Sequence, residues 1–152
     1  MKKICFIAST GGHLDQLMML SVIMEKYNSF IVTEKTTYST IKSINKMYYI
    51  HQVNRAEKLW TFKMMINTFI SIYIFLIQRP DLVISTGALA TIPMCLISKV
   101  FRKKLIFIES FAKINTPTLT GKLLYKFADE FYVQWEDMIK VYPKAVYKGG
   151  IY

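Results

Sequence analysis

The chain has 152 residues, enough for one domain with a real core, and its 53% hydrophobic and 14% aromatic content excludes a disordered segment. Its mean hydropathy of +0.26 is high for a soluble domain and low for a multi-span membrane protein. Twenty Lys and Arg against ten Asp and Glu leave a net charge of +10, which suits an anionic partner such as acidic lipid or a phosphorylated substrate. Nucleic acid is not expected, because the cations are spread along the chain without a recognisable nucleic-acid-binding signature.

The chain opens with an apolar run, Ile4 to Ala8, that reads as a buried strand. The turn Ser9-Thr10-Gly11-Gly12 follows, and a helix begins near His13 with Leu14, Leu17, Met18 and Ile23 on one face. Strand, glycine turn and helix form the opening unit of a doubly wound α/β domain, whose ligands bind at the carboxyl ends of the strands. The third glycine of a dinucleotide fingerprint is missing, and no Gly-Lys-Ser/Thr of a P-loop follows. The turn either brings backbone N–H groups and His13 to an anionic ligand or simply packs the helix on the sheet. The start of the chain leads straight into a strand, so no signal peptide is expected.

Ser29 to Thr33 reads as a second strand, and Glu34 stands where a dinucleotide fold places its ribose-binding acid. A polar helix is expected over Tyr38 to Asn45, a short strand over Met47 to Ile50, and a loop over His51 to Arg55. An apolar helix then covers Trp60 to Ile77, within a stretch of about 58–78, and stops before Arg79-Pro80. Lys63, Asn67, Ser71 and Gln78 fall on one narrow side of it. Three readings compete: a core helix, a helix lying in the membrane interface with Trp60, Phe62, Lys63, Phe69 and Tyr73 as contacts, and a true span.

Asp81 to Ser85 is another strand, ending in Ser85-Thr86-Gly87-Ala88, and Pro93 sits in the first turn of the next helix. Leu105 to Ile108 is a strand ended by Glu109-Ser110, a helix is expected over Thr118 to Phe127, and Glu130 to Val133 is the last clear strand. The tail, about 142–152, reads as extended and turn-rich. Cys5 and Cys95 lie inside apolar runs and read as small buried hydrophobes in a reducing compartment. His13 and His51 have no companion ligands, so no metal is expected.

Alternating strands and helices imply a single α/β domain with a doubly wound, mostly parallel, Rossmann-like sheet. If the strands adjoin, Ser9 to His13, Ser85 to Gly87 and Glu109-Ser110 share one crevice.

Ser-Thr-Gly-Gly-His at 9–13, Asp-Leu-Val-Ile-Ser-Thr-Gly-Ala at 81–88, Ile-Glu-Ser at 108–110, Leu-Thr-Gly-Lys-Leu-Leu-Tyr at 119–125, Ala-Asp at 128–129 and Val-Gln-Trp at 133–135 carry a resemblance across nearly the whole chain. The chain resembles the membrane-associated subunit of split UDP-sugar glycosyltransferases. These include the anchoring subunit of the dolichol-pathway UDP-N-acetylglucosamine transferase and the bacterial PssD-type capsule and exopolysaccharide proteins. The fold also resembles the N-terminal half of the lipid II-forming transferase.

The resemblance implies a GT-B enzyme cut in two, of which this is the acceptor-side half. A partner chain, the C-terminal GT-B half, would hold most of the UDP-sugar donor, and no other cofactor is implied. The acceptor would be a polyprenyl-diphosphate-linked sugar at the cytoplasmic membrane face. Ser9, Thr10, Gly11, Gly12, Thr86, Gly87 and Ser110 would bind that acceptor, the Gly11 and Gly12 amides taking its diphosphate. Gln134, Trp135 and Tyr152 would face the partner. The eukaryotic family often starts with a transmembrane anchor, which is not expected here, so attachment is expected from residues 60–77 or from the partner. Histidine changes charge near neutral pH, which makes His13 the first candidate base for the acceptor hydroxyl, with Glu109 its rival. Glu109 reads equally as a helix cap or a lysine partner. A non-catalytic adaptor that recruits the active partner, and a lone nucleotide-binding enzyme such as a dehydrogenase, stay open beside this reading.

Overall fold

The computed structural model describes residues 2–35 and 46–152, so the helix expected at Tyr38 to Asn45 lies outside the described residues. Seven strands form one sheet: β1 (Lys3–Ala8), β2 (Asn28–Glu34), β3 (Lys46–Ile50), β4 (Leu82–Gly87), β5 (Lys104–Ile108), β6 (Glu130–Val133) and β7 (Val146–Tyr147). Their spatial order is β3-β2-β1-β4-β5-β6-β7, and every pair is parallel. The strand order reverses between β1 and β4, which is where a doubly wound sheet opens a ligand crevice.

The helices are α1 (Gly12–Met18), α2 (Ser21–Lys26), α3 (Trp60–Gln78), α4 (Ile92–Val100) and α5 (Leu119–Leu124). Central strands read as unbroken apolar runs because both faces of the sheet are covered. On one face Cys5, Ile7, Phe30, Val83, Leu105 and Phe107 meet Ile74 and Phe75 of α3, Met94 and Cys95 of α4, and Leu124 of α5. On the other, Ile4, Phe6, Ile31 and Ile84 meet Leu14 and Leu17 of α1 and Met24 of α2. Both cysteines are free and fully buried, and burial holds the Cys95 thiol up at about 12.

Three details depart from the sequence expectation. The first helix is two helices, broken at Met19-Leu20, so the second turns and buries Met24 while Ile23 stays 39% exposed. The Thr118 to Phe127 helix is shorter, with regular turns only over Leu119–Leu124. The tail contributes β7, two exposed residues that pair with Tyr132 and Val133.

The sequence pattern leaves the orientation of α3 open, and the fold decides it. Its narrow polar side faces inward: Asn67 and Ser71 are fully buried, with Ile74 and Phe75 at 3% exposure. Asn67 clamps the end of β3, accepting the His51 N–H at 2.8 Å and donating to the His51 carbonyl at 2.8 Å. Gln78 donates to the Tyr48 hydroxyl at 2.5 Å. Buried polar groups are normally hydrogen-bonded, and these bonds satisfy Asn67, while the buried Ser71 hydroxyl finds no partner among the described residues. The outer side therefore carries the apolar residues: Phe62, Met65, Phe69, Tyr73 and Leu76 are all at least half exposed. The helix therefore meets the core along its inner side only and leaves the apolar stripe uncovered among the described residues. Lys63 pairs with Glu57 beside the helix start, and Trp60 is half-buried.

Candidate active site

The three small-residue loops do meet, because β1, β4 and β5 are consecutive in the sheet. Their junction is built by a bulge. Ile7 pairs with Ser85, but Ala8 pairs with Gly87, so Thr86 is passed over in the β1–β4 ladder. Its carbonyl and hydroxyl then turn to His13. The His13 Nδ1 lies 2.7 Å from the Thr86 carbonyl, and the Thr86 hydroxyl donates to the His13 carbonyl at 2.7 Å. A carbonyl only accepts, so Nδ1 carries the hydrogen and the neutral ring keeps its lone pair on Nε2. The half-buried ring packs against Gly87, where a Cβ would stand 3.3 Å from its Cε1 and Nδ1. Gly87 also has φ +96, a backbone that L side chains rarely adopt.

Ser9 is buried and donates its N–H to the Gly87 carbonyl at 2.9 Å, stitching the loops together. Thr10 donates its N–H and its hydroxyl to Glu34 Oε2, at 3.2 and 3.1 Å. The Val53 N–H donates to Glu34 Oε1 at 3.2 Å. Glu34 is thus 4% exposed and committed to holding two loops, not to a ribose. Gly11 and Gly12 are exposed at the start of α1, and Gly11 takes φ 72 and ψ −147, a conformation open to glycine.

Glu109 is not at the crevice surface. It is 1% exposed, and its oxygens accept the Ser110 N–H at 2.9 Å, the Thr118 hydroxyl and N–H at 2.8 and 3.2 Å, and the Tyr142 hydroxyl at 2.8 Å. Thr118 caps α5, so Glu109 anchors that cap, and no lysine pairs with it among the described residues. Burial, then the Glu109 carboxylate, pushes the Tyr142 hydroxyl well above its usual value, so it stays a donor. This geometry makes Glu109 a brace, and leaves His13 as the crevice residue with a free nitrogen.

Gln134 also turns inward. At 4% exposure it donates to the Glu109 carbonyl at 2.8 Å and accepts the Ile151 N–H at 3.0 Å, so it fastens the tail instead of meeting a partner. The half-buried Trp135 donates its indole N–H to the Phe111 carbonyl at 2.7 Å. Tyr152, 60% exposed, stands edge-on to Phe111 at 5.1 Å and presents the open surface of this trio. No group of three or more His, Cys, Asp or Glu able to hold a metal occurs among the described residues.

The comparisons with known proteins agree with this architecture. The family model described as "Oligosaccharide biosynthesis protein Alg14 like" matches residues 4–151. The chain belongs to this Alg14-like family. It is 24% identical to the human UDP-N-acetylglucosamine transferase subunit ALG14 over 97% of this chain and 82% of the human protein. The Saccharomyces cerevisiae subunit of the same name is 48% identical over a shorter stretch, 30% of this chain and 19% of the yeast protein. Among solved structures, Acinetobacter baumannii MurG superposes with TM-score 0.73 at 16% identity, over 90% of this chain and 42% of that one. The S. aureus MnaA–UDP structure gives 0.75 at 14%, over 99% of this chain and 44% of that one. The Alg14-like chain thus spans less than half of these solved chains and has the fold of a GT-B N-terminal half.

Two features of the Alg14-like site escaped the sequence reading. Gln16 is 2% exposed, its Nε2 has no hydrogen-bond partner among the described residues, and it lines a cavity of about 230 Å³ with Gly12, Ser110, Phe111 and Tyr152. Its signal was a polar residue one helical turn after Gly12, flanked by buried leucines. Gly121 lies so close to Glu109 that a Cβ would stand 2.0 Å from Oε2. Its signal was a glycine inside a helix.

Proposed function

We propose that this chain is the acceptor-side half of a two-chain glycosyltransferase of lipid-linked oligosaccharide, capsule or exopolysaccharide assembly, working at the cytoplasmic membrane face. The observation that carries the reading is the His13–Thr86 pair: a histidine with a fixed tautomer, its lone pair on Nε2, at the switch point of half a GT-B fold. The outward apolar stripe of α3 supports attachment to the bilayer, and the +10 charge suits anionic headgroups. The partner supplies the other wall of the crevice and most of the UDP-sugar site. UDP-N-acetylglucosamine is the donor class named for the relatives, and no bound cofactor is called for.

The acceptor hydroxyl lies against His13 Nε2. Its oxygen attacks the anomeric carbon of the donor as the bond from that carbon to the UDP oxygen breaks. The electron pair leaves with UDP, and the hydroxyl proton passes to Nε2. Ser9, Thr10, Gly87 and Ser110 shape the crevice floor, and the Gly11 and Gly12 amides face the bound acceptor. Reconstitution with the partner chain tests this. The pair is expected to transfer sugar to a polyprenyl-diphosphate-linked acceptor, and the chain alone to be inactive. Efficient glycosylation of a water-soluble acceptor by the chain alone in plain buffer overturns it.

A further inference from the structure

Beside the crevice runs an open groove of about 580 Å³ that the reaction above does not use. Its walls come from the loops after β3, β4 and β5, with Val53 and Arg55 on one side, Leu89 between, and Lys113 and Leu119 on the other. Arg55 and Lys113 are the two charged residues lining it, and neither pairs with a carboxylate among the described residues. The acids that flank these loops in sequence or bond to them have partners of their own: Glu34 holds Thr10 and Val53, Glu109 holds Ser110, Thr118 and Tyr142, and Glu57 holds Lys63. The groove therefore offers two uncompensated cations from opposite walls, one a planar fork suited to phosphoryl oxygens.

Its position orders the chemistry. At one end Gly87 touches the His13 ring, and the next two residues, Ala88 and Leu89, already line the groove. The Glu34 carboxylate ties Thr10 of the crevice to Val53 of the groove wall, so the two spaces keep a fixed relation. At the other end Arg55 is four residues from Leu59, 65% exposed, which leads into the apolar stripe of α3; Leu119 on the far wall is 60% exposed. A base, a pair of cations and a hydrocarbon-contacting surface thus follow one another.

We infer that this groove, and not the Gly11 and Gly12 amides that the resemblance implied, binds the diphosphate of the lipid-linked acceptor, with Arg55 and Lys113 on the two phosphoryl groups. The inference rests on the acceptor-side reading. The sugar lies at His13, the diphosphate in the groove, and the first isoprene units against Leu89 and Leu119 on the way to the bilayer beside α3. The recognised chemistry is a phosphate anion, which bulk lipid headgroups and free phosphate also carry, so the experiment separates these sources.

The full chain is titrated with neutral phosphatidylcholine vesicles doped with polyprenyl diphosphate, or with phosphatidylglycerol at equal charge, with and without inorganic diphosphate as competitor. Wild type is expected to prefer the polyprenyl diphosphate vesicles, with inorganic diphosphate competing. The double variant R55Q/K113Q is expected to lose that preference by about tenfold or more, as removal of two charge-assisted contacts requires. It keeps its binding to phosphatidylglycerol through α3. The single variants Arg55→Gln and Lys113→Gln, each weakened part-way, serve if the double variant fails to fold. A wild type that prefers the diphosphate lipid while R55Q/K113Q keeps the same preference overturns the groove and leaves the acceptor-side reading intact. Equal binding of wild type to both anionic vesicles overturns both.

Discussion

His13 and Thr86 grip each other twice across the switch point of the sheet, ring nitrogen to carbonyl at 2.7 Å and hydroxyl to carbonyl at 2.7 Å. The pair exists because the β1–β4 register slips by one residue and leaves Thr86 outside the ladder. A general base needs the free lone pair on Nε2, so turnover of the reconstituted pair is expected to depend on this ring. Substituting His13→Ala should cost roughly 10²- to 10⁴-fold in kcat. Complex formation and membrane binding should persist in the same variant. Thr86→Val, which removes the hydroxyl but keeps the carbonyl, should have a smaller effect. Unchanged turnover in His13→Ala would leave this chain an adaptor.

Glu109 and Gly121 make the second tight contact. A methyl at Gly121 would lie 2.0 Å from Glu109 Oε2 and 2.7 Å from the Tyr142 hydroxyl, so the carboxylate or α5 must shift. Gly121→Ala, which raises intrinsic helix propensity, is nevertheless expected to destabilise the fold by about 1–3 kcal/mol, measured by urea unfolding. Glu109→Gln keeps the volume but puts an NH₂ against donors, and should also lower stability. The folded variant should keep most of its turnover in the reconstituted pair, whereas loss of a catalytic Glu109 would abolish it.

Much of this architecture was legible before the structure. The runs Ile4 to Ala8, Leu82 to Ser85 and Leu105 to Ile108 announce strands buried on both faces, and the small residues at their ends announce the crevice. The opening helix hid its break at Met19-Leu20, because nothing in that pair forbids helix. Strand β7 was invisible because two exposed residues have no pattern; its pairing with β6 makes it a strand. The narrow polar side of α3 was legible, but its direction was not. Only the position of β3, whose end Asn67 clamps, reveals that the polar side turns inward. Glu109 shows the same limit: its role depends on Thr118 and Tyr142, which are distant in sequence and meet it only in the fold.

The outward stripe of α3 makes a direct test of membrane attachment. Phe69 and Tyr73 are each 65% exposed, so replacing both with Glu removes no buried contact. The variant F69E/Y73E is expected to keep its unfolding midpoint but to lose most of its flotation with anionic vesicles. Asn67→Leu should do the reverse, leaving the His51 N–H and carbonyl without partners and destabilising the fold by about 1–3 kcal/mol. Vesicle binding by F69E/Y73E at the wild-type level would mean that a protein partner, not lipid, covers the stripe.

The opposite end of the sheet carries the acid sensitivity. The Lys3 backbone N–H, and then the Lys103 ammonium, hold the Asp81 carboxyl below its ordinary 3.8. Burial pushes Asp129 upward, but the Lys99 ammonium and the Leu105 N–H outweigh it and leave the carboxyl lowered. The Lys104 ammonium, then the Tyr132 hydroxyl, hold Glu130 below its ordinary 4.5. These contacts fasten the starts of β1, β4, β5 and β6, away from the crevice. A carboxyl lowered in the folded state binds fewer protons there than in the unfolded chain. Its stabilisation is complete above the ordinary carboxyl values and is lost as pH falls through the lowered ones. The unfolding midpoint is therefore expected to hold from neutral pH down to the ordinary carboxyl range and then to fall. Asp129→Asn and Asp81→Asn should each flatten that fall. An acid slope in thermal melts that survives both Asp substitutions unchanged would place the sensitivity in other groups.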